Sequence, residues 1–233
     1  MQHRYAIALD GGFVRKKLRD CLGRAVTPAD IFTFCQELQR IPRLDGWDLL
    51  RIYFYDAPPH QGKAKNPIDR KTIDFSTTPQ YRDGTALLSA IEKHDDFAVR
   101  RGTTALQGWR LHGRVLGTLR KSPRALVAED VVPNIKQKGV DLRLGLDIAT
   151  ISIKRIVDAI VLAVGDRDFV PVMKMARKEG VRVYLVAFDD DFIDDLRIHS
   201  DHVIEAWKTC PLLTPRATAG VPPIVPVASA IKP

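Results

Sequence analysis

The sequence predicts an α/β protein with a mostly parallel central sheet, because short, almost continuously apolar segments alternate with amphipathic ones. Four segments have the length and composition of buried strands: 5–10, 49–55, 159–164 and 181–188. Between them, apolar residues recur at helical spacing, as in the helix predicted after the first strand, which carries Val14, Leu18 and Leu22.

The first half of the chain is predicted to contain two further helices and one long loop. Thr27 can cap a helix that has Pro28 at its first position, and Thr78 with Pro79 repeats this pattern. Residues 60–78 are polar and show no clear periodicity. We therefore expect a long ordered loop there, of a length that is usually functional or mobile.

The second half is predicted to add further strand structure and three helices. Segments 97–103 and 105–111 are interpreted as a strand pair or as one strand with a bent extension. One helix is predicted to begin at Asp141, a second at Pro171, and a last helix is predicted over residues 191–207.

The chain is predicted to form one folded domain, residues 1–207, followed by a Pro-rich tail, residues 208–233, that we expect to be disordered. Three scattered cysteines without CxxC spacing argue against a disulfide framework or a zinc site. They favour a reducing compartment, so we expect a cytoplasmic protein. No apolar run reaches the roughly 20 residues of a membrane helix, so no membrane partner is expected. A homo-oligomer is compatible with the sequence.

The charge of the chain favours a polyanionic partner. Lys and Arg number 36 against 28 Asp and Glu, which gives a net charge of +8. Residues 98–128 contain no acidic residue. Basic residues in and around this segment, with two that follow the first strand, are our candidates for phosphate contacts: Arg15, Lys16, Arg100, Arg101, Arg110, Arg114, Arg120 and Lys121.

Three aspartates lie at or just after the ends of predicted parallel strands. Asp10 ends the first strand, and Asp166 and Asp168 follow the strand 159–164. The carboxyl ends of parallel strands share one sheet edge, where ligands bind, so these side chains converge if the strands are neighbours. Clustered carboxylates repel one another unless a cation lies between them, and their hard oxygen ligands suit Mg²⁺ or Mn²⁺. Asp141 and Asp147 are candidates to join the cluster.

Each aspartate also has an ordinary structural explanation. An aspartate after a strand commonly forms a turn or caps a helix. Asp147 is the weakest metal candidate, because six residues after Asp141 is a different face of the helix. It can instead form a surface salt bridge with Arg143 or Arg155.

Four motifs together resemble the NYN domain family, whose members are similar to PIN-domain nucleases. The motifs are YAIALDGGF, YFYDAPP, KGVDLRLGLDIATISI and AIVLAVGDRDFVPVMKMARKEGVRVYLVAF. The resemblance covers most of residues 5–207. It implies a PIN-like, Rossmannoid three-layer sandwich and metal-dependent ribonuclease chemistry. The positions that match the catalytic and metal-binding pattern are Asp10, Asp141, Asp166 and Asp168.

The chain departs from the family at one position. Many relatives have Asp-Gly-x-Asn at the first strand, whereas Phe13 stands here in place of the asparagine. The first hypothesis is a Mg²⁺- or Mn²⁺-dependent endoribonuclease, and the second is an RNA-binding or regulatory module without strong catalysis. A phosphatase-like hydrolase with Asp10 as nucleophile ranks lower, because position 12 is glycine where Asp-x-Asp is needed.

Overall fold

The computed structural model describes residues 2–189, 194–209 and 212, and these residues contain ten strands, eight α-helices and four short 3₁₀ helices. The strands are β1 (Arg4–Asp10), β2 (Asp48–Asp56), β3 (Lys63–Lys65), β4 (Thr72–Asp74), β5 (Phe97–Arg101), β6 (Thr103–Leu111), β7 (Val131–Lys138), β8 (Ala159–Ala163), β9 (Arg182–Ala187) and β10 (His202–Glu205). The helices are α1 (Gly11–Leu22), α2 (Pro28–Gln39), α3 (Pro79–Glu92), α4 (Gly113–Lys121), α5 (Val140–Ile153), α6 (Val170–Lys178), α7 (Asp194–Ile198) and α8 (Ala206–Thr209).

Six parallel strands form the central sheet in the order β10-β9-β8-β1-β2-β5. The chain builds outward from β1 through β2 to β5, then returns to β8 on the other side of β1. The strand order therefore reverses between β1 and β8, where Leu9 lies opposite Ala163. A crevice at the carboxyl ends of such a pair is the usual ligand site of an open α/β sheet.

Helices cover both faces of this sheet. On one face, Ile7 and Leu9 pack in a core that contains buried residues of α1, α2 and α3. On the other face, Ala6 and Ala8 pack against buried residues of α5 and α6. Because side chains alternate along β1, this strand contributes residues to both cores. The predicted three-layer α/β sandwich with a parallel sheet is confirmed.

Of the two interpretations of segments 97–103 and 105–111, the strand pair is wrong, and the strand with a bent extension is closer to the structure. β5 joins the central sheet beside β2, whereas β6 leaves it and forms an antiparallel hairpin with β7. Gly102 separates the two strands, and a Cβ atom at this position would lie 2.6 Å from Val140 and 2.7 Å from the carbonyl oxygen of Lys138. Only glycine fits this close approach, which turns the chain out of the sheet.

The predicted last helix over residues 191–207 is also wrong. Two short helices, α7 and α8, flank the strand β10, which pairs with β9. The Asp201 carboxylate accepts a hydrogen bond from the Val183 backbone and one from Arg177, and these bonds hold the chain extended beside β9. Residues 190–193 of the predicted helix lie outside the described residues.

Two other segments add detail to the predictions. Residues 60–78 are not a plain loop, because β3 and β4 form a small antiparallel hairpin within them. The predicted tail lies outside the described residues except for positions 208, 209 and 212. Among the helices that the structure describes, none has the length and apolar character needed to cross a membrane.

Candidate functional site

Asp10 ends β1 and caps α1, with its Oδ1 accepting the backbone N–H of Phe13 at 3.1 Å. Its pKa is raised from 3.8 to about 6, mainly by burial and further by the nearby carboxylates of Asp141 and Asp56. The Phe13 and Gly12 backbone hydrogen bonds oppose this rise. Burial and nearby negative charge disfavour the ionised form of such a carboxyl group, and a bound cation would stabilise that form.

Asp56 ends β2 and is completely buried. Its Oδ1 accepts hydrogen bonds from the Ala57 backbone at 2.8 Å and from Gln137 Nε2 at 2.7 Å. The Arg15 guanidinium lies 3.0 Å from Oδ2, but no donor among the described residues is aligned for a hydrogen bond with that oxygen. Burial raises the Asp56 pKa, and Arg15 is the strongest influence in the opposite direction.

The two glycines after Asp10 permit this arrangement. A Cβ atom at Gly11 would lie 2.6 Å from the Phe54 ring and 2.9 Å from Asp56 Cβ, so α1 begins in direct contact with the end of β2. A Cβ at Gly12 would lie 3.4 Å from Asp10 Oδ1 and 3.5 Å from Gln137 Oε1. The absence of side chains here brings Arg15 to Asp56 and leaves space above the Asp10 carboxylate.

Asp141, Asp166 and Asp168 form the exposed half of the cluster. Asp141 lies in the first turn of α5, and its pKa is raised by burial and by the charges of Asp166 and Asp168. Asp166 follows β8, and its Oδ1 accepts the Asp168 backbone N–H at 3.0 Å. The electrostatic contacts therefore run in a row from Asp56 through Asp10 and Asp141 to the Gly-Asp-x-Asp pair.

The chemistry of this row fits a hard divalent cation. Every member offers carboxylate oxygens, and the charges of Asp56 and Asp141 add to the rise that burial causes in the Asp10 pKa. Across the same residues, no three His, Cys, Asp or Glu side chains converge on one point. The arrangement suits Mg²⁺, which commonly takes one or two carboxylates and keeps several waters, better than a site of several direct protein ligands.

Asp147 is not part of the carboxylate row and instead forms an ion pair. Its Oδ2 accepts the Arg100 Nε–H at 2.9 Å and the Tyr55 hydroxyl at 3.1 Å. The ion-pair partner is thus Arg100 rather than Arg143 or Arg155. The Arg100 guanidinium also lies 5.8 Å from the centre of the Tyr53 ring, so this group ties α5 to β2 and β5.

A cleft of about 620 Å³ includes Gly12, Arg15 and Gln137 in its lining, so it lies next to Asp10 and Asp56, although no carboxylate of the row lines it. Gly12 and Gln137 lie at the end of the cleft nearest Asp10, and Lys16 and Arg19 of α1 form one wall. The opposite wall comes from the segment after β2 and the start of α3, and it includes the following residues: Pro59, His60, Phe75 and Tyr81. The cleft thus combines positive charge with aromatic rings, the two features that hold single-stranded nucleic acid.

The basic candidates fall into two groups. Arg15, Arg100 and Arg101 form ion pairs with carboxylates of the protein, namely Asp56, Asp147 and Glu92 respectively. Exposed positions are occupied by the others: Lys16, Arg110, Arg114, Arg120 and Lys121. Phosphate contact by either group stays a prediction.

The hairpin of β6 and β7 carries part of the second group away from the site. Gln137 of β7 pairs with Thr104, whereas Arg110 pairs with Val132. The five residue steps from Val132 to Gln137 span roughly 17 Å at about 3.3 Å per residue. Helix α4, which follows β6, therefore extends the positive surface well beyond the cleft.

Phe13 fills the position where many relatives carry asparagine. A Cβ atom at Gly165 would lie 2.3 Å from its ring, and the Phe188 ring is 5.5 Å away in an edge-to-face contact. The ring therefore packs between α1 and the end of β8 and brings no polar atom to the site.

Sequence reasoning missed Asp56 and Gln137. Asp56 could have been found, because it ends a buried strand in the same way as Asp10 does. Gln137 could not have been found, because it lies on β7, and no apolar pattern in the sequence predicts that strand.

A parallel sheet with carboxylates at its switch point and a basic cleft beside them defines a PIN-like α/β domain. The model of the NYN domain matches residues 67–207, which is more than half of the chain, and the protein belongs to this family of PIN-like nucleases. Asp141, Asp166 and Asp168 lie within the matched residues, and Asp10 and Asp56 precede them.

The other comparisons with known proteins do not indicate a function. Among solved structures, the chain is similar to a protein of unknown function from Vibrio parahaemolyticus, with 15% identity and a TM-score of 0.48. The similarity covers 87% of this chain and 92% of that chain. A search of curated proteins gives no match.

Proposed function

We propose that the protein is a Mg²⁺- or Mn²⁺-dependent endoribonuclease. The observation that supports this most strongly is the row of carboxylates at the switch point, because burial and, to a smaller extent, the neighbouring carboxylates raise the pKa of Asp10 and of Asp141. Asp10, Asp141, Asp166 and Asp168 would hold the ion, in part through water. When bound, the ion would supply an activated water and neutralise charge on the scissile phosphate.

The protein's own side chains would position the RNA. Lys16 and Arg19 would attract the phosphates that flank the scissile bond, while Tyr81 and His60 offer ring faces for a base. The Arg15 guanidinium would keep Asp56 ionised, and Asp56 in turn orients Gln137 beside Gly12. Basic residues on α4 would contact RNA further from the site.

Metal dependence is the direct test of this proposal. We expect the purified chain to cleave single-stranded RNA with Mg²⁺ or Mn²⁺ and not with EDTA, because the carboxylates alone cannot activate water at neutral pH. Cleavage of internally labelled RNA, followed on gels with structured and unstructured substrates, measures this. Equal cleavage in EDTA would contradict the metal-dependent mechanism.

A catalytically weak RNA-binding module is the second candidate. It is favoured by Phe13, whose ring packs on Gly165 and offers no polar group at the position of the family asparagine. RNA binding without cleavage under any of these metal conditions would select this function.

Reversing three arginines of the hairpin arm is expected to weaken RNA binding more than folding. Replacing Arg110, Arg114 and Arg120 with glutamate removes exposed positive charge, so the slope of log affinity against log salt should become shallower by roughly 2 for a single strand. Fluorescence anisotropy with labelled RNA at several salt concentrations measures this slope.

A matched control has the same change in net charge at the other end of the sheet. Arg4, Arg40 and Arg43 are exposed and lie at or near the amino ends of strands. Glutamates at these three positions should leave the slope almost unchanged. If both triple variants lose affinity equally, net charge rather than the arm binds the RNA.

A further inference from the structure

The Gln137 side chain has its amide nitrogen fixed by Asp56 and its amide oxygen turned toward the site. The Gln137 Nε2 donates a hydrogen bond of 2.7 Å to Asp56 Oδ1. Because an ionised carboxylate can only accept, this bond determines which way the amide faces and turns Oε1 away from Asp56. That oxygen lies beside Gly12, 3.5 Å from the point that a Cβ atom would occupy there.

A second acceptor, Asp10 Oδ1, borders the same space as Gln137 Oε1. It lies 3.4 Å from the same Cβ position at Gly12, and the space stays open because residue 12 has no side chain. Both oxygens are hydrogen-bond acceptors when Asp10 is ionised, so neither can bond to the other. A water molecule has two O–H donors and can therefore satisfy both acceptors.

A buried ion pair holds the Gln137 amide in this orientation. Asp56 is completely buried, and the Arg15 guanidinium lies 3.0 Å from its Oδ2. Arg15 is in turn tied to the backbone of α1, because its Nε–H donates to the Gly11 carbonyl oxygen. Buried ion pairs add little net stability over apolar residues of similar size, but in some proteins they fix a geometry. Here the pair keeps Gln137 Oε1 turned toward Asp10.

Gln137 also lies where the cleft meets the carboxylate row. It lines the cleft together with Gly12, whereas Asp10 belongs to the row. We infer that Gln137 is a positioning residue of the site: its Oε1 accepts a hydrogen bond from a water molecule that Asp10 Oδ1 holds from the other side. A water that donates both hydrogens has its lone pairs left for a cation, which suits Mg²⁺ because this ion keeps several waters in proteins. The inference rests on the proposed function and extends the site to a residue of β7.

Mn²⁺ binding to the RNA-free chain tests this role. Gln137→Met removes both ends of the amide at nearly constant size and charge, and we expect the Mn²⁺ affinity, measured by electron paramagnetic resonance, to fall about 10-fold or more. Gln137→Asn should lower the affinity similarly with less loss of melting temperature, because its shorter amide stays with the buried Asp56 charge rather than with the water. At saturating Mn²⁺, both variants should lower kcat for RNA cleavage about 10-fold while KM for RNA stays within about 2-fold, since Gln137 holds water and not RNA.

Thr104→Val is the matched control, because Thr104 lies opposite Gln137 on β6 and the change also replaces a polar side chain with an apolar one of similar size. It should leave the Mn²⁺ affinity and kcat within about 2-fold. Absence of any Mn²⁺ binding that Asp10→Asn weakens would overturn the proposed function and this inference with it. If Asp10→Asn weakens binding but Gln137→Met binds Mn²⁺ as tightly as Thr104→Val does, the inference alone is overturned, and a lower melting temperature of Gln137→Met would then mark Gln137 as a residue that serves only the fold.

Discussion

Replacing Asp10 with asparagine is expected to stabilise the metal-free protein at pH 8 while reducing RNA cleavage by about 100-fold or more. Asparagine keeps the acceptor that caps α1 through the Phe13 N–H, so the fold loses no hydrogen bond. It removes a buried charge that Asp141 and Asp56 repel. Opposite effects on stability and activity are typical of a functional site, since clustered charges are kept there at a cost in stability.

The stability gain should depend on pH in a defined direction. The Asp10 pKa is raised in the folded protein to about 6 from 3.8, so protonation of Asp10 contributes stability below about pH 4. That contribution is lost as the pH rises through about 6, and it amounts to on the order of 3 kcal/mol. Chemical denaturation of both proteins in EDTA should therefore give a difference that is largest at pH 8 and vanishes near pH 4.

Asp166→Asn is the companion variant, because Asp166 is exposed and asparagine can still accept the Asp168 N–H. It should lose cleavage with little change in stability. Added Mg²⁺ should raise the melting temperature of the unchanged protein and have a smaller effect on either variant, because only the native charge set binds the ion well. A marked loss of stability in Asp10→Asn would identify Asp10 as a structural cap instead.

Replacing Arg15 with methionine is expected to destabilise the protein by about 2 to 3 kcal/mol at pH 8. The change leaves the Asp56 carboxylate without its cationic neighbour, although this side chain is completely buried. Loss of Arg15 raises the Asp56 pKa further above its unfolded value. The deficit should therefore be greatest above that pKa and shrink as the pH falls and Asp56 takes up a proton.

A double-mutant cycle separates this pair from its surroundings. Combining Arg15→Met with Asp56→Asn should recover most of the lost stability, because the buried charge is then removed together with its partner. Arg19→Met is the control on the same helix: the Arg19 side chain is 59% exposed, and its change should stay within about 0.5 kcal/mol. If the double variant is as unstable as Arg15→Met alone, the methylene stem rather than the charge of Arg15 is what matters.

The sequence was most informative where one physical signal dominates. The strands β1, β8 and β9 are buried on both faces over most of their length, as is the carboxyl half of β2, so their apolar composition was sufficient to predict them. The position of Asp10 and Asp166 at one sheet edge followed from the shared direction of parallel strands. The structure was needed to show that β1 and β8 are neighbours, because local composition does not determine strand order.

The elements that were missed have no dominant signal. β7 contains polar residues and is half-exposed, since it pairs only with β6 and lies outside the two cores. β10 has four residues, too few for a period to show, and it depends on hydrogen bonds from Asp201 to β9. On α5, the exposed Leu142 and Leu146 could not be distinguished from buried core residues until the burial of the helix was known.

The position of β1 in the sheet has a consequence for how the chain folds. β1 pairs with β2, about 45 residues away, and with β8, about 155 residues away. About half of the hydrogen bonds of β1 therefore cannot form until β8 has been synthesised. During synthesis, β1 and β2 would present an unpaired, apolar strand edge until β8 emerges. Slow refolding with aggregation at high protein concentration is therefore expected, together with protection by chaperones that bind nascent chains.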